Sequence, residues 1–386
     1  MNQQIKEYDS LLDMLDVLQS QGASPREIAV RTRRYLEFKA RRNAFPMRGT
    51  FELTPLCNLD CKMCYVHLTK RQLAQDMADL LPGKIWIHIM RQAIEMGMFE
   101  VTLTGGEAML HPDFKEILLF LESENIDVNL KTNGLLLTEE RVAFLKEHNL
   151  GSLQITLYGC DEESYERVTG YRGFALTMAA IERVRNAGIP LEVIITPNKY
   201  IWNDLEKLIR LVDSMGVQYS VNPGLIDPLK ETGRAGGDHD LTIEQYIQMN
   251  MLMAEIKGNV LVPPCAEDIP QPGGPVRERV EGLACAAGRS VFSVTWRGMV
   301  HPCRMLEKIS FDGLKVPFAE GWKAINEAVK VYPYPRECVG CEFEAVCPHC
   351  VIQHEYGAEP GHANPSICER ARRMAAEGFY TRKKEG

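Results

Sequence analysis

Between residues 50 and 222 the sequence alternates short apolar runs with amphipathic segments, and this alternation constrains the fold more than any other feature. Strands are predicted at 50–54, 100–104, 127–131, 152–157, 191–196 and 217–222, with helices near 85–97, 114–123, 138–148, 174–187 and 203–215. Strands that alternate with helices of this length imply parallel crossovers. Six such units predict an α/β fold, an open partial (βα)6 barrel with its chemistry at the carboxyl ends of the strands.

Composition excludes several classes of protein. No run approaches the roughly 18 uninterrupted apolar residues that a membrane span needs, and the first residues are polar where a signal peptide would be basic and then apolar. A net charge of −8 argues against a general nucleic-acid binder. The twelve cysteines are then expected to be reduced thiols in a cytoplasmic protein, where clusters of them usually bind metal.

The first cysteine cluster lies directly after the first predicted strand. Cys57, Cys61 and Cys64 form C-x3-C-x2-C. Three thiolates can bind three irons of a [4Fe-4S] cube, which leaves one iron open to the amino and carboxylate groups of a methionine moiety. Zinc is the alternative, with Asp60 or His67 as the fourth ligand.

This cluster is followed by an aromatic residue, Tyr65, and the second predicted strand is followed by Gly105-Gly106-Glu107. In this arrangement the chain resembles the radical S-adenosylmethionine superfamily. Glycines would let the backbone approach a ligand closely, and the carboxylate could accept hydrogen bonds from an ammonium group. The resemblance extends to Thr132-Asn133-Gly134 and to the region after the fourth strand, and it implies that S-adenosylmethionine is bound by Tyr65, Gly105, Gly106, Glu107, Thr132, Asn133, Thr156 and Arg167.

The C-terminal third has seven of the twelve cysteines and few long periodic segments, so it is expected to fold around metal. Its cysteine order resembles the SPASM extension, which implies two auxiliary [4Fe-4S] clusters, although the third spacing is x2 here and usually x3. The resemblance assigns the second auxiliary cluster to Cys338, Cys341, Cys347 and Cys368, and the first to Cys285, Cys303 and Cys350. Cys265 is favoured as the fourth ligand of the first cluster; otherwise that cluster has an open iron. A zinc ribbon is the competing interpretation.

Four segments are predicted: N-terminal helices at 1–45, the partial barrel at 46–240, a helix and linker at 241–284, and a small, loop-rich, cysteine-ligated iron-sulfur domain at 285–386.

The resemblance implies an oxidoreductase that cleaves S-adenosylmethionine reductively and uses the 5′-deoxyadenosyl radical to abstract hydrogen from a peptide or protein side chain. Its cofactors would be S-adenosylmethionine and three [4Fe-4S] clusters, with flavodoxin or ferredoxin as electron donor. Alternatives are formylglycine formation as in sulfatase maturases, dehydrogenation of a small molecule, and a non-catalytic docking scaffold.

Substrate recognition is less constrained. A peptide leader could bind a separate small protein or the basic segment from Arg26 to Arg42. The sequence identifies no catalytic acid or base; Asp227 and Glu231 are equally well explained as solvated loop residues. Cys160 could face the substrate, but a small buried residue is the more common role for a lone cysteine.

Overall fold

The protein is described by a computed structural model. The described residues are 10–66, 68, 73–76, 79–148, 150–222, 240–257, 282–283, 285–343, 346–347, 350–355 and 358–379. His67, Asp227, Glu231 and Cys265, which the sequence analysis singled out, lie outside them.

One mixed sheet organises the described chain. Its strands are β1 Arg48–Glu52, β2 Glu100–Thr104, β3 Asp127–Thr132, β4 Ser152–Thr156, β5 Leu191–Ile195, β6 Gln218–Val221, β7 Val291–Val294, β8 Met299–His301 and β9 Phe311–Asp312. Among the described residues the order across the sheet is β6-β5-β4-β3-β2-β1-β7-β8-β9. Strands β1 to β6 are parallel neighbours in chain order, so the predicted α/β class with a parallel sheet is confirmed.

Helices lie between the parallel strands and also before and after them. Their bounds are α1 Leu11–Ser20, α2 Pro25–Asn43, α3 Gly83–Glu95, α4 Phe114–Ser123, α5 Glu139–Glu147, α6 Glu162–Thr169, α7 Phe174–Ala187, α8 Leu205–Ser214, α9 Ile243–Lys257, α10 Phe318–Lys330, α11 Val351–His354 and α12 Pro365–Ala376. The ring of Phe51 in β1 meets Trp86 of α3 edge to face, at 6.2 Å between centroids. Alternate strand residues therefore face the helices, and the residues between them face the opposite side.

No helix in the described ranges is both long enough and apolar enough to cross a membrane.

Three antiparallel strands, β7 to β9, extend the sheet beyond β1. Phe292 of β7 packs edge to face on Phe51, at 5.8 Å, and on Phe318, at 5.1 Å. Gly49 makes this packing possible, because a Cβ there would lie 2.7 Å from the Phe292 ring. The prediction of a loop-rich C-terminal third did not include these strands or the longer helices α10 and α12.

The chain divides into two compact units. The first, called the barrel unit below, comprises 48–260 and 292–321, and the second, called the terminal unit, comprises 1–47, 261–291 and 322–386. In the terminal unit, Met14 and Leu18 of α1 pack on Tyr35 of α2. The indole N–H of Trp322 donates to the Ala44 carbonyl at 2.6 Å.

Candidate active site

The segment that carries the first three cysteines is fixed at both ends by backbone hydrogen bonds. At its start, the N–H groups of Gly106 and Glu107 donate to the carbonyls of Thr54 and Leu56, both at 2.8 Å. Farther along, the Asp60 N–H donates to the Thr169 carbonyl at 3.0 Å, and Lys62 bonds Val168 in the same way. The cysteine loop, residues 53–64, is therefore fastened between the end of β2 and the end of α6, at the carboxyl edge of the sheet.

The glycine pair permits this close approach. A Cβ on Gly106 would lie 2.5 Å from the Leu56 carbonyl oxygen, and one on Gly105 would lie 2.4 Å from that of Thr54. Gly105 also has a φ of +137°, which favours glycine. The sequence analysis explained these glycines by the approach of a ligand; the structure gives them a further role, which is to let the cysteine loop pack on β2.

The three thiols lie close enough to influence one another. Burial raises the pKa of Cys61 well above its usual value, and the charges of Cys64 and Cys57 add to this effect. The pKa of Cys57 is raised to about 12, first by burial. Buried thiols that disfavour each other's ionisation fit a site where metal supplies the positive charge that stabilises thiolates.

Two polar side chains contact these sulfurs. Asn133 Nδ2 lies 3.8 Å from Cys57 Sγ and donates to Asn58 Oδ1 at 2.7 Å. A side-chain hydrogen bond from Tyr158 opposes the rise in the pKa of Cys61. The sequence analysis noted Tyr158 only as part of a strand-end resemblance.

Glu107 connects β2 to β3. Its side chain is 1% exposed and accepts from the Thr132 hydroxyl at 2.8 Å, the Asn133 N–H at 3.0 Å and the Met109 N–H at 3.3 Å. Burial raises the pKa of this carboxyl group, and the hydrogen bonds from Asn133 and Thr132 lower it. Glu107, Thr132 and Asn133 are thus brought together as the resemblance implied, and their contact with S-adenosylmethionine stays a prediction.

A buried network that the sequence analysis missed surrounds Tyr65. The Tyr65 hydroxyl donates to Glu52 Oε1 at 2.5 Å and accepts from Arg304, whose guanidinium carbon lies 4.6 Å from the centre of the ring. Arg304 also pairs with Glu52 at 3.7 Å. The sequence contains little indication of this network, because Arg304 is 239 residues from Tyr65. Only the order of strands in the sheet places β8 near β1.

Three further residues from the sequence analysis, Arg167, Thr156 and Cys160, lie on α6 or in the chain just before it. Arg167 donates to Asp204 Oδ2 at 2.8 Å and to the Tyr200 carbonyl at 3.4 Å, and its role toward the cofactor stays a prediction. Thr156 ends β4, opposite Ile194. Cys160 is 6% exposed, and its sulfur lies 3.7 Å from the Ser164 hydroxyl.

In the terminal unit, four cysteines influence one another. The pKa of Cys338 is raised to about 12, first by burial. The charges of Cys347, Cys368 and Cys341 raise it further, in that order of effect. These are the four cysteines that the resemblance assigned to one auxiliary cluster. His354 Nδ1 accepts from the Asn364 N–H at 2.9 Å, so Nε2 carries the proton, and it lies 3.7 Å from Cys338 Sγ.

The other described cysteines that the resemblance assigned to an auxiliary cluster lie in different segments of the chain. Cys285 is exposed, Cys350 precedes α11, and Cys303 follows β8 in the barrel unit. Within the described ranges, no three His, Cys, Asp or Glu side chains converge as the ligands of a single metal ion would.

Residues 51–212 match the family model described as the Radical SAM superfamily. The parallel sheet with a cysteine loop after β1 and this match define the class of protein: the chain carries a radical SAM domain and is an enzyme. Such a domain binds S-adenosylmethionine and an iron-sulfur cluster.

Among curated proteins, the AdoMet-dependent heme synthase of Methanosarcina barkeri is 26% identical over 326 residues, covering 79% of this chain and 91% of that protein. The sporulation killing factor maturation protein SkfB of Bacillus subtilis is 34% identical over 155 residues, which cover 40% of this chain and 36% of that protein.

Among solved structures, SuiB of Streptococcus suis bound to its precursor peptide SuiA has a TM-score of 0.66. It is 16% identical, and the match covers 90% of this chain and 82% of SuiB. The fold is therefore shared along most of both chains.

Proposed function

We propose that the protein is a peptide-modifying radical SAM enzyme in which Cys57, Cys61 and Cys64 bind the catalytic cluster. When bound, this cluster supplies one electron for cleavage of S-adenosylmethionine to methionine and the 5′-deoxyadenosyl radical that takes a hydrogen atom from the substrate. The observation that carries the proposal is the cysteine loop, fastened at the carboxyl edge of a parallel sheet where barrel-type enzymes place their chemistry. A peptide substrate is supported by two of the similar proteins. SuiB was solved bound to a precursor peptide, and SkfB is a maturation protein of a sporulation killing factor.

The chain's own residues position the reactants. Glu107 fixes the end of β3 through Thr132 and Asn133, and the Asn133 side chain donates to Asn58 of the cysteine loop. Tyr65, held by Glu52 and Arg304, fixes the end of that loop. A preorganised edge of this kind keeps the reacting groups in place without further rearrangement.

The direct test is anaerobic turnover. Reconstituted, reduced protein should release 5′-deoxyadenosine from S-adenosylmethionine, and the Cys57→Ala, Cys61→Ala, Cys64→Ala variant should release none. Co-expression with a peptide encoded nearby should change the mass of that peptide. A wild-type protein that binds iron and forms no 5′-deoxyadenosine contradicts the proposal.

Two auxiliary [4Fe-4S] clusters are part of the proposal. Cys338, Cys341, Cys347 and Cys368 would bind one, supported by the rise in the pKa of Cys338 to which the other three thiols contribute. The other would be bound by Cys285, Cys303 and Cys350, with Cys265 as fourth ligand. They would take up the electron that a substrate radical loses when it is oxidised, and flavodoxin or ferredoxin would supply the electron for cleavage.

A second candidate, a step of heme synthesis, is favoured by one observation: the similarity to the M. barkeri heme synthase covers 79% of the chain, whereas that to SkfB covers 40%. Expression in a bacterial heme auxotroph separates the two. Growth without added heme would favour heme synthesis, whereas a modified peptide and no growth would favour the first proposal.

For the leader of a peptide substrate, the sequence left open a separate binding protein and the basic segment, and we propose the separate protein. On α2, Arg31 pairs with Glu27 at 3.2 Å and Arg33 with Glu37 at 3.5 Å, so the helix's own carboxylates neutralise part of the basic segment.

A further inference from the structure

A cavity of about 150 Å³ lies in the barrel unit, beside the cysteine loop and the turn between β7 and β8. The apolar part of its wall is formed by Tyr65, Leu68, Trp296 and Met299. Tyr65 directly follows Cys64 in the chain, so the cavity borders the segment that carries the first three cysteines. Tyr65, Trp296 and Met299 are only partly buried, and the cavity can therefore be entered from solvent.

The two aromatic rings of this wall are held in place through their polar atoms. The Trp296 indole N–H donates to Asp76 Oδ2 at 2.8 Å, and the Tyr65 hydroxyl donates to Glu52 Oε1 at 2.5 Å. The two acceptor residues are 7% and 3% exposed, so both hydrogen bonds are inside the protein. Because their polar atoms are bound in this way, the rings contribute mainly carbon surface to the cavity.

The arginines at the wall already have carboxylate partners. Arg304 pairs with Glu52 at 3.7 Å, and Arg297 pairs with Asp76 at 2.9 Å. Their charges are therefore balanced by the protein itself. The remaining polar residues of the wall are Thr295, His301 and Glu307. An apolar and aromatic wall with a few polar groups is the usual composition of a ligand site.

The size of the cavity fits one aromatic ring. A cavity of about 150 Å³ with apolar walls is large enough to bind benzene. An aromatic guest also gains from edge-to-face or offset contacts with Tyr65 and Trp296, in addition to the area it buries. Met299 adds a polarizable thioether, which makes favourable contacts with aromatic rings. Size and composition together favour an aromatic group over an aliphatic one.

Two reactants of the proposed reaction could supply such a group, namely the adenine of S-adenosylmethionine and a side chain of the peptide. Of the eight residues that the resemblance assigns to S-adenosylmethionine, Tyr65 is the one that borders the cavity. Glu107, Thr132 and Asn133 are instead joined to one another at the ends of β2 and β3. The cavity lies on the other side of β1, next to β8, and this position favours the peptide.

We propose that this cavity binds an aromatic side chain of the peptide substrate between Tyr65 and Trp296. The inference rests on the proposed function for the peptide nature of the substrate. Binding there places the aromatic residue beside the cysteine loop, where the radical would form.

The experiment is fluorine NMR of the reconstituted holoenzyme in which 5-fluorotryptophan replaces the four tryptophans. Trp86 and Trp322 are buried, whereas Trp202 and Trp296 are partly exposed. The two partly exposed residues give resonances that shift between H2O and D2O, and Trp202→Phe identifies which of the two belongs to Trp202. Trp202 then serves as a control within the same spectrum, because it lies outside the wall of the cavity.

The probes are N-acetylphenylalanine amide and its match without a ring, N-acetylalanine amide. Each is titrated with saturating S-adenosylmethionine and again without it. The phenylalanine probe should shift the Trp296 resonance in both titrations and leave the Trp202 resonance in place. It should bind at least about tenfold more tightly than the alanine probe, because its ring is removed from water.

Equal affinity of the two probes, or no shift of the Trp296 resonance with either, overturns the inference. Equal shifts at Trp296 and Trp202 also overturn it, because binding is then not confined to the cavity. If the phenylalanine probe shifts Trp296 only without S-adenosylmethionine, adenine is the occupant and the inference is wrong.

The titration is independent of turnover. A protein that forms 5′-deoxyadenosine and modifies its peptide, but shows no shift at Trp296, would refute only the aromatic site. Absence of 5′-deoxyadenosine would refute the proposed function and leave the titration measurable.

Discussion

At the scale of single residues, Glu107 combines a structural and a predicted chemical role. Its buried carboxylate accepts three hydrogen bonds, from Thr132, Asn133 and Met109. Burial also raises its pKa, so the charge itself is costly where it lies. The acceptor geometry therefore stabilises this edge of the sheet more than the negative charge does.

Glu107→Ala is expected to lower the free energy of unfolding by about 2 kcal/mol, because buried donors lose their acceptor. Glu107→Gln can keep its carbonyl oxygen on Thr132 and Asn133 but sets its NH2 group against the Met109 N–H, so it should lose less stability than Glu107→Ala in urea unfolding of the anaerobic holoenzyme. Binding of S-adenosylmethionine should nevertheless weaken in the Gln variant if the carboxylate contacts the ammonium group. A Gln variant with unchanged cofactor affinity would remove that predicted contact.

The ammonium group of Lys131 should lose its proton at a lower pH than an ordinary lysine does. Burial and the charge of Arg304 lower its pKa from 10.5 to about 8, whereas Glu192 on β5 acts in the other direction. A lowered pKa means that the free amine, which is the form that reacts, accumulates as the pH rises through about 8. The rate of acetylation by acetic anhydride should rise with that midpoint. A midpoint near 10.5 would contradict this prediction.

At the scale of elements, the position of the cysteine loop depends on its contact with the end of β2. Gly106→Ala would place a Cβ 2.5 Å from the Leu56 carbonyl oxygen and push the loop away. We expect the variant to bind roughly four fewer irons per chain, the content of one cube. Iron analysis of the anaerobically purified protein measures this.

Gly321→Ala is the matched control, because its Cβ would lie 2.4 Å from the Phe311 ring, at a contact that does not involve the cysteine loop. It should destabilise the protein and leave iron per folded chain unchanged. Equal iron loss in both variants would show that general destabilisation, and not the loop contact, explains the Gly106 result.

The parallel strands could be predicted because each depends on local information. The patterns at 100–104 and 127–131 alternate with helical segments, and the strands formed at 100–104 and 127–132. Strands β7 to β9 have two to four residues each, and they are stabilised by pairing and by Phe51 and Phe318 elsewhere in the chain. Such short strands have too little periodicity to be recognised.

The need for a local sequence pattern also limited the prediction of the candidate active site. The cysteines and the Gly105-Gly106-Glu107 segment could be found because they occur at fixed spacings. Glu52, Arg304 and Lys131 could not, since single charged residues have no spacing pattern, and only the register of the sheet and the pairing of β7 with β1 bring their segments near one another.

At the scale of the whole molecule, the cysteines are divided between the two compact units. Cys57, Cys61 and Cys64 belong to the barrel unit, and Cys338, Cys341, Cys347 and Cys368 belong to the terminal unit. Each unit is discontinuous in sequence, and the predicted boundaries of the four segments stay a prediction. If each set binds its own cluster, removal of one set should leave the other intact.

The terminal unit offers a test with a spectroscopic readout. Because His354 Nδ1 accepts from Asn364, its Nε2–H can donate to Cys338 Sγ at 3.7 Å. Hydrogen bonds to cluster sulfurs influence reduction potential. His354→Phe should therefore lower the potential of one cluster by about 40 mV, because a hydrogen bond worth about 1 kcal/mol is lost from a one-electron couple. Electron paramagnetic resonance during redox titration measures this shift.

The Cys338→Ala, Cys341→Ala variant is the reference, because it should remove the signal that shifts in His354→Phe and leave 5′-deoxyadenosine formation by the barrel unit. The signal assigned to the Cys57, Cys61 and Cys64 cluster should be recognisable by its change on addition of S-adenosylmethionine, since that cluster would have the open iron. If His354→Phe shifts that signal instead, or if the reference variant keeps all its iron, the four terminal cysteines do not bind a cluster next to His354.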